Sequence, residues 1–223
     1  MNLLRRLARA ERRPRPAPVL SSLDAYALWA AQYPPEAHNL LMQVEEAAVI
    51  ELLPDVTGDV AADLACGTGR YGLMLRERGA RQVIALDNSP HMLAGCSLPF
   101  RVLSSMDNLP LKSDSVDVLV CGMAVGHLPQ LDAVYREIGR VVRKGGAAVI
   151  SDFHPFLALA GAQRTFTADG VQYAVEHKAH LYAAVHAAAE AAGLRIDAVR
   201  EPAIPGHANG SPVALVVRLI VVR

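Results

Sequence analysis

The stretch that decides the fold covers residues 63–72 and reads DLACGTGRYG. It overlaps an apolar run that predicts a strand over Val60–Ala65, and it leads into a helix predicted over Tyr71–Arg78. Gly67 and Gly69 allow the backbone to turn tightly and let a ligand approach closely. The following helix presents free N–H groups at its start. The stretch therefore predicts a ligand site at the carboxyl end of a strand.

The next predicted strand ends in a second acidic residue. Asp87 follows the apolar run Gln82–Leu86 and stands twenty positions after Gly67. In sheets with a glycine-rich first turn, a carboxylate at this place accepts the ribose hydroxyls of a bound nucleotide. The two features together predict that the chain binds an adenosine-containing ligand.

These residues are compatible with two kinds of adenosine-containing ligand. Gly67, Gly69 and Gly72 form a GxGxxG pattern, which alone also fits a dinucleotide such as NAD. Asp63 argues against a dinucleotide, because its carboxylate would repel a pyrophosphate but attract the ammonium group of a methionine moiety. Bulky side chains at 70–71 also occupy the helix start, where a pyrophosphate needs open N–H groups. The residues favour a nucleoside joined to an amino acid.

Short apolar segments alternate with helical segments through the middle of the chain, which predicts a parallel sheet covered on both faces. The remaining strands are predicted at Phe100–Leu103, Val116–Cys121 and Ala147–Asp152, and the remaining helices at Ser89–Cys96 and Leu131–Val142. The end of the chain differs. After a helix over Lys178–Ala192, the strands Leu194–Val199 and Val213–Val222 have no helix between them, so we expect them to be antiparallel neighbours.

The chain before the first strand divides into two parts. The first fifteen residues carry six arginines against one glutamate, and prolines follow. A targeting presequence or a contact with anionic surfaces would fit, but we favour a solvated tail. We expect residues 1–20 to be a disordered basic tail and residues 21–58 to be an N-terminal helical lid. The lid holds helices over Ser21–Tyr33 and Glu36–Leu53, and residues 59–223 form the main domain, with a pocket-shaping segment at 154–180.

Bulk properties exclude several classes of protein. The 223 residues have a formal net charge of zero and 52% hydrophobic residues, and no dense basic-aromatic patch lies outside the tail. These features argue against a nucleic-acid partner, and the apolar runs are too short to predict a membrane span. Cys66, Cys96 and Cys121 lack metal-ligand spacing, and no metal is predicted. Reduced, buried thiols make the cytoplasm the simplest compartment.

Seven segments in order resemble the motifs of the class I S-adenosylmethionine-dependent methyltransferases, above all the ubiquinone/menaquinone-type enzymes that act on small molecules. Residues 63–69 resemble the (D/E)xxxGxG motif of that family. The other segments are residues 83–87, 88–93, 106–110, 115–119, 127–128 and 140–146. The resemblance extends roughly from Tyr26 to Asp152. Lys144 departs from it by replacing a usual proline, and Val116 by replacing a usual phenylalanine.

The resemblance implies an α/β fold, a Rossmann-like three-layer sandwich. Its seven-stranded, mostly parallel sheet has the order 3-2-1-4-5-7-6, with the last strand antiparallel. The implied cofactor is S-adenosyl-L-methionine, with S-adenosyl-L-homocysteine as product. The implied cofactor-binding residues are Tyr26 and Tyr33 in the lid, Asp63, Gly67 and Gly69 at the methionine end, Asp87 at the ribose, Asn88, Met92, Met106 and Asp107 around the adenine, and Cys121 beside the sulfonium. For Met92, Met106 and both tyrosines, ordinary core packing remains an alternative, and Asp107 also fits a turn.

The implied reaction is an in-line methyl transfer to an O, N or C atom of a small, apolar or aromatic acceptor. Such a transfer needs a base only when the acceptor must lose a proton. His127 and His154 are the catalytic candidates, and a purely structural hydrogen bond is the alternative for each. The predicted acceptor pocket consists of His154, Phe156, Tyr173 and His180.

Two other functions remain as alternatives. One is a non-catalytic regulator that binds S-adenosylmethionine, and the other is an NAD-dependent oxidoreductase on a related fold. The expected partner is a small-molecule acceptor, and the expected assembly is a monomer or a homodimer.

Overall fold

The structure is a computed structural model that describes residues 17–206 and 210–223. Most of the predicted basic tail, residues 1–16, lies outside the described residues. The described residues form ten strands and seven α-helices. The strands are β1 (Val19–Leu20), β2 (Val60–Leu64), β3 (Gln82–Asp87), β4 (Phe100–Leu103), β5 (Val116–Gly122), β6 (Val142–Phe153), β7 (Arg164–Ala168), β8 (Val171–Val175), β9 (Leu194–Arg200) and β10 (Ala214–Val221). The helices are α1 (Ser22–Trp29), α2 (Leu40–Leu52), α3 (Arg70–Glu77), α4 (Pro90–Gly95), α5 (Asp132–Val141), α6 (Pro155–Leu159) and α7 (Tyr182–Ala191).

Seven strands form one large sheet in the order β4-β3-β2-β5-β6-β10-β9. Neighbouring strands from β4 to β6 are parallel, and β10 is antiparallel to both β6 and β9. Counted along this sheet alone, the order is 3-2-1-4-5-7-6 with an antiparallel last strand. The predicted Rossmann-like fold class is therefore confirmed.

Helices cover both faces of the large sheet and divide the core in two. On one face, α5 and α7 pack on the strands through a cluster that includes Leu119, Ile138 and Leu219. On the other face, α2 and α3 contribute a cluster that includes Val49 and Leu75. Strand residues buried on both faces explain the near-continuous apolar runs of the sequence.

Local signals decide where helices begin. The sequence predicted α2 from Glu36, but the helix begins at Leu40 because the side chain of Asn39 accepts a hydrogen bond from Met42 N at 2.9 Å. Ser89 caps α4 in the same way, and Pro90 occupies its first turn, as predicted. The last helix begins at Tyr182, later than the predicted Lys178.

A small second sheet, in the order β1-β8-β7, was not predicted. Its β7–β8 hairpin turns at Asp169 and Gly170, which both have positive φ, and β1 runs parallel to β8. Helix α1 packs on this sheet through Ala25, with Phe166 and Val175 in the same buried cluster. The small sheet and α1 together form a roof over one end of the large sheet's carboxyl edge.

No helix within the described ranges is both long enough and apolar enough to cross a membrane. A search of the same ranges finds no group of three or more His, Cys, Asp or Glu side chains arranged to hold a metal ion.

Candidate active site

The glycine turn after β2 brings a buried carboxylate to the carboxyl edge of the sheet. Gly67 and Gly69 have φ angles of +57° and +98°, which side chains with a Cβ rarely adopt. Asp63 is 1% exposed and accepts a hydrogen bond from Gly72 N at 2.6 Å. Burial raises the pKa of Asp63 to about 7, although the Gly72 bond and the Arg70 charge oppose the shift. A cationic partner at this carboxylate would stabilise its ionised form.

Asp87 ends β3 and faces the same turn. Its Oδ2 accepts a hydrogen bond from Gly67 N at 2.7 Å, and its Oδ1 accepts one from Ser89 N at 2.8 Å. These bonds fix the carboxylate plane, and each oxygen keeps a lone pair for a ligand hydroxyl. Burial raises the pKa of Asp87, while the backbone N–H bonds work in the opposite direction.

A cavity with about 1040 Å³ of empty space, its open mouth included, lies between these carboxylates and the roof. Nine predicted site residues line it: Tyr26, Tyr33, Asp63, Gly67, Asp87, Asn88, Met92, Met106 and His127. Three of the predicted cofactor-binding residues do not line it. Gly69 is buried in the turn, Asp107 is exposed and accepts a bond from the Ser105 hydroxyl, and Cys121 is fully buried beneath its lining neighbours at 122–124.

Thr68 contributes an unsatisfied hydroxyl to the cavity wall. Its Oγ1 is buried and has no hydrogen-bond partner among the described residues. Leaving a buried hydroxyl unpaired costs free energy. Thr68 therefore carries an unsatisfied polar atom buried behind the cavity wall.

The far end of the cavity is closed by a hydrogen-bonded cluster of Tyr26, His127 and Arg164. His127 Nδ1 lies 2.9 Å from the carbonyl oxygen of Glu176, so Nδ1 carries the proton and Nε2 is an acceptor. The Tyr26 hydroxyl donates to Nε2 at 3.1 Å, and Arg164 Nη1 reaches the same nitrogen at 3.3 Å. Burial, with the Arg164 charge, lowers the pKa of His127 to about 4. His127 is therefore neutral at neutral pH.

Behind this cluster, Asp152 is held by groups that do not belong to the cavity. It accepts hydrogen bonds from Gly126 N, from Phe153 N at 2.7 Å and from His177 Nε2 at 3.2 Å. Burial alone would raise the pKa of Asp152, but the His177 bond and nearby positive charges hold it below its usual value. Asp152 thus remains ionised and fixes the loop that carries His127.

Glu45 on α2 is a second buried acid that the sequence did not single out. It is fully buried and accepts hydrogen bonds from Tyr71 Oη at 2.6 Å, from Arg70 Nη2 at 3.0 Å and from the Ser151 hydroxyl. These bonds tie α2 to the start of α3 and to β6. They fix Arg70 and Tyr71, which line the cavity.

The four predicted acceptor-pocket residues lie outside the lining of this cavity. His154 is buried, with Nε2 3.2 Å from Glu201 and Nδ1 accepting from Phe156 N at 3.2 Å. Phe156 is exposed, Tyr173 stacks on Phe166, and His180 Nε2 donates to the Leu128 carbonyl oxygen. Their roles, and the catalytic role of His154, stay predictions.

Residues 62–150 match a family model described as "Methyltransferase domain". The match runs from β2 through most of β6 and includes the glycine turn, Asp87 and His127. The seven-stranded sheet with its reversed last strand agrees with this family. Residues 62–150 therefore form a methyltransferase domain. The resemblance seen in the sequence is thereby confirmed.

Known relatives match part of the chain around this methyltransferase domain. Malonyl-[acyl-carrier protein] O-methyltransferase of Serratia marcescens is 34% identical over 98 residues, covering 42% of this chain and 38% of the relative. Demethylmenaquinone methyltransferase of Lactococcus lactis subsp. lactis is 32% identical over 126 residues, covering 51% and 50%. The chain thus spans half or less of the length of these curated relatives.

Solved structures resemble this chain over more residues than the family model matches. An S-adenosylmethionine-dependent methyltransferase from Mesorhizobium loti superposes with a TM-score of 0.70. The superposition covers 82% of this chain and all of the other, at 22% sequence identity. At that identity the likeness concerns the fold.

Proposed function

We propose that the chain transfers a methyl group from S-adenosyl-L-methionine to a small-molecule acceptor. The observation that carries this proposal is one cavity with Asp63 and Asp87 on its wall and Gly67 of the glycine turn between them. The family match over residues 62–150 supports it.

The polar groups along the cavity fit this cofactor. The Asp63 carboxylate would receive the ammonium group, and Asp87 would accept the ribose hydroxyls. A Cβ at Gly67 would lie 3.2 Å from Met92 Cε, so glycine leaves the gap between them open. A dinucleotide fits less well, because Asp63 would face its pyrophosphate.

We assign the remaining predicted lining residues to the adenine and to the acceptor end. Asn88, Met92 and Met106 would surround the adenine, in keeping with their place beyond Asp87. Tyr26 and Tyr33 would cover the cofactor from the roof. Gly69 and Cys121 would act through the turn and the strand behind the lining, and Asp107 remains a candidate at the adenine.

The bound cofactor supplies an electrophilic methyl group on a sulfonium, so the chain's task is to orient the acceptor and exclude water. His127 cannot readily take a proton, because its Nε2 already accepts bonds from Tyr26 and Arg164. We propose that His127 positions these two side chains at the acceptor end. No proton transfer is assigned to it.

Isothermal titration calorimetry with S-adenosyl-L-homocysteine and with NAD⁺ tests the proposal. We expect S-adenosyl-L-homocysteine to bind in a one-to-one ratio and NAD⁺ to give no measurable heat of binding. Binding of NAD⁺ in preference to S-adenosyl-L-homocysteine would overturn the proposed function.

A further inference from the structure

A second cavity adjoins the first and shares part of its wall. It contains about 710 Å³ of empty space, its opening included. Tyr33, Met123 and Arg164 line both cavities. A molecule that occupies both would therefore pass these three side chains, next to the cluster of Tyr26, His127 and Arg164.

The wall of the second cavity is mainly apolar. Its lining includes Trp29, Leu41, Met42, Phe153 and Val175, with Asn39, Gln163 and Thr165 as polar members. Trp29 stacks on Phe166 of the small sheet, with ring centroids 4.8 Å apart, so the wall is fixed by packing. Such a surface suits an aliphatic or aromatic body.

Arg164 carries unused hydrogen-bond donors where the cavities meet. Nη1 donates to Met123 O at 2.8 Å and to His127 Nε2, and Nη2 donates to Tyr26 Oη at 3.3 Å. A guanidinium has five N–H groups. Two of the five, including Nε–H, have no partner among the described residues.

The charge of Arg164 is only partly balanced by the protein. Asp152 Oδ1 lies 3.8 Å from Nη1, beyond hydrogen-bonding distance, and Asp152 is already bound to Gly126, Phe153 and His177. An anionic ligand group at Arg164 would complete the charge balance and would separate the guanidinium from a sulfonium in the first cavity.

We infer that the methyl acceptor is a carboxylic acid whose carboxylate is held by Arg164 and whose apolar body fills the second cavity. This inference rests on the proposed methyl transfer. A carboxylate oxygen forms the new bond to the methyl carbon as the carbon–sulfur bond breaks, and the electron pair of that bond stays on sulfur. No proton moves, so the reaction needs no base.

Among the described residues, His127 is the one histidine that lines either cavity, and its bonding favours a carboxylate acceptor over a phenol. A phenol has an ordinary pKa near 10 and would have to lose its proton before transfer. His127 Nε2, which is hydrogen-bonded to Arg164, is occupied by two donors. A carboxylic acid is already ionised at neutral pH.

Trp29 provides a direct readout, because it is the only tryptophan of the chain and it lines the second cavity. With S-adenosyl-L-homocysteine saturating, octanoate and 1-octanol are titrated while tryptophan emission is recorded. We expect octanoate to change the emission and to bind at least about tenfold more tightly than 1-octanol.

Three variants test whether Arg164 causes the preference for octanoate over 1-octanol. Arg164→Gln should weaken octanoate binding about tenfold or more while S-adenosyl-L-homocysteine still binds, and Arg164→Lys should retain part of the preference. Arg195→Gln removes the same charge from an exposed position beside Asp197 and should change nothing.

Two results would overturn the inference. One is equal binding of octanoate and 1-octanol, or no emission change with either. The other is unchanged octanoate affinity in Arg164→Gln. A failure of the proposed function itself would show separately, as loss of S-adenosyl-L-homocysteine binding by the unaltered protein.

Discussion

At the scale of single residues, two carboxylates at the edge of the sheet have different environments. Asp87 accepts backbone hydrogen bonds on both oxygens, whereas Asp63 accepts one, from Gly72. Hydrogen bonds to a carboxylate stabilise its charge, and burial destabilises it. Asp87 is thus a fixed acceptor, while Asp63 is a buried acid that forms no direct ion pair among the described residues.

For Asp87 we predict that Asp87→Asn weakens binding of S-adenosyl-L-homocysteine by about tenfold or more. The substitution removes a charge-assisted acceptor, and such bonds contribute about 1.5–3 kcal/mol each. Calorimetry measures the affinity, and Asp114→Asn on the exposed surface serves as the matched control. An unchanged dissociation constant in Asp87→Asn would exclude the ribose role.

For Asp63 we predict that Asp63→Asn stabilises the ligand-free protein more at pH 8 than at pH 5. The folded pKa of about 7 lies above the ordinary value of 3.8, so the folded state holds the proton more tightly than the unfolded state. Ionisation therefore lowers the stability of the unaltered protein as the pH rises from about 4 to 7. The asparagine variant escapes this loss.

Urea unfolding at both pH values measures the difference. The increase in the free energy of unfolding caused by Asp63→Asn should be larger at pH 8 than at pH 5, by roughly 2 kcal/mol or more. Asp169→Asn, at an exposed position, is the control. A gain that does not depend on pH would contradict the buried state of Asp63 without a direct ion pair. Asp63→Asn should also bind S-adenosyl-L-homocysteine less tightly than the unaltered protein at pH 8, since an asparagine cannot pair with the ammonium group.

Some site residues could be predicted from the sequence and others could not. Asp63 and Asp87 are marked by their distance from the glycine turn along two successive strands, which is a local pattern. Arg164 lies in a segment without a motif and reaches the cavity only because the β7–β8 hairpin folds over it. Glu45 follows the pattern of a solvent-facing helix residue, and only its tertiary partners show that it is buried.

At the scale of the elements, a buried ion pair fastens α2 to the start of α3. Glu45 and Glu46 both lie within reach of Arg70, at 3.0 and 3.4 Å. Glu45 is fully buried and also binds Tyr71 and Ser151, whereas the side chain of Glu46 is partly exposed. Substituting Glu45 and Glu46 in turn therefore compares a buried contact with Arg70 and a partly solvated one.

We predict that Glu45→Ala lowers the free energy of unfolding by about 3–5 kcal/mol, because it leaves Arg70 buried without its main partner. Glu46→Ala, the matched control, should cost no more than about 1 kcal/mol. Urea unfolding followed by circular dichroism measures both values. Equal losses in the two variants would contradict the central role of Glu45.

The elements differ in how far the sequence predicts them. The large sheet follows from apolar runs that alternate with helices, and its strand boundaries agree with the predicted ones within a few residues for most strands. The β7–β8 hairpin was not predicted, although the Asp169-Gly170 turn is a local signal for it. The pairing of β1 is different, because β1 has only two residues and pairs with β8, about 150 positions later. Such a pairing leaves no periodic signal in the sequence.

At the scale of the whole molecule, the cavity is assembled from distant parts of the chain. The large sheet provides the floor with both carboxylates, α1 provides Tyr26, and the small sheet provides Arg164. The roof is joined to the floor at this end by the contacts of Arg164 with Met123 and His127. A ligand in the cavity would therefore touch both layers.

We predict that S-adenosyl-L-homocysteine slows amide hydrogen exchange in the roof as well as in the floor. Peptides covering residues 22–33 and 65–70 should gain protection, because both segments contribute to the cavity wall. Peptides covering β9, at the far edge of the sheet, should not change and serve as the internal control. Protection confined to the floor would contradict a roof that closes over the ligand.

The most direct measurement of the central claim is a crystal structure of the protein with S-adenosyl-L-homocysteine. The account predicts that both ribose hydroxyls lie within about 3 Å of the Asp87 carboxylate, that the amino group lies near Asp63, and that the sulfur faces residues 122–124. An adenosine bound elsewhere, or one that points its ribose away from Asp87, would contradict the account.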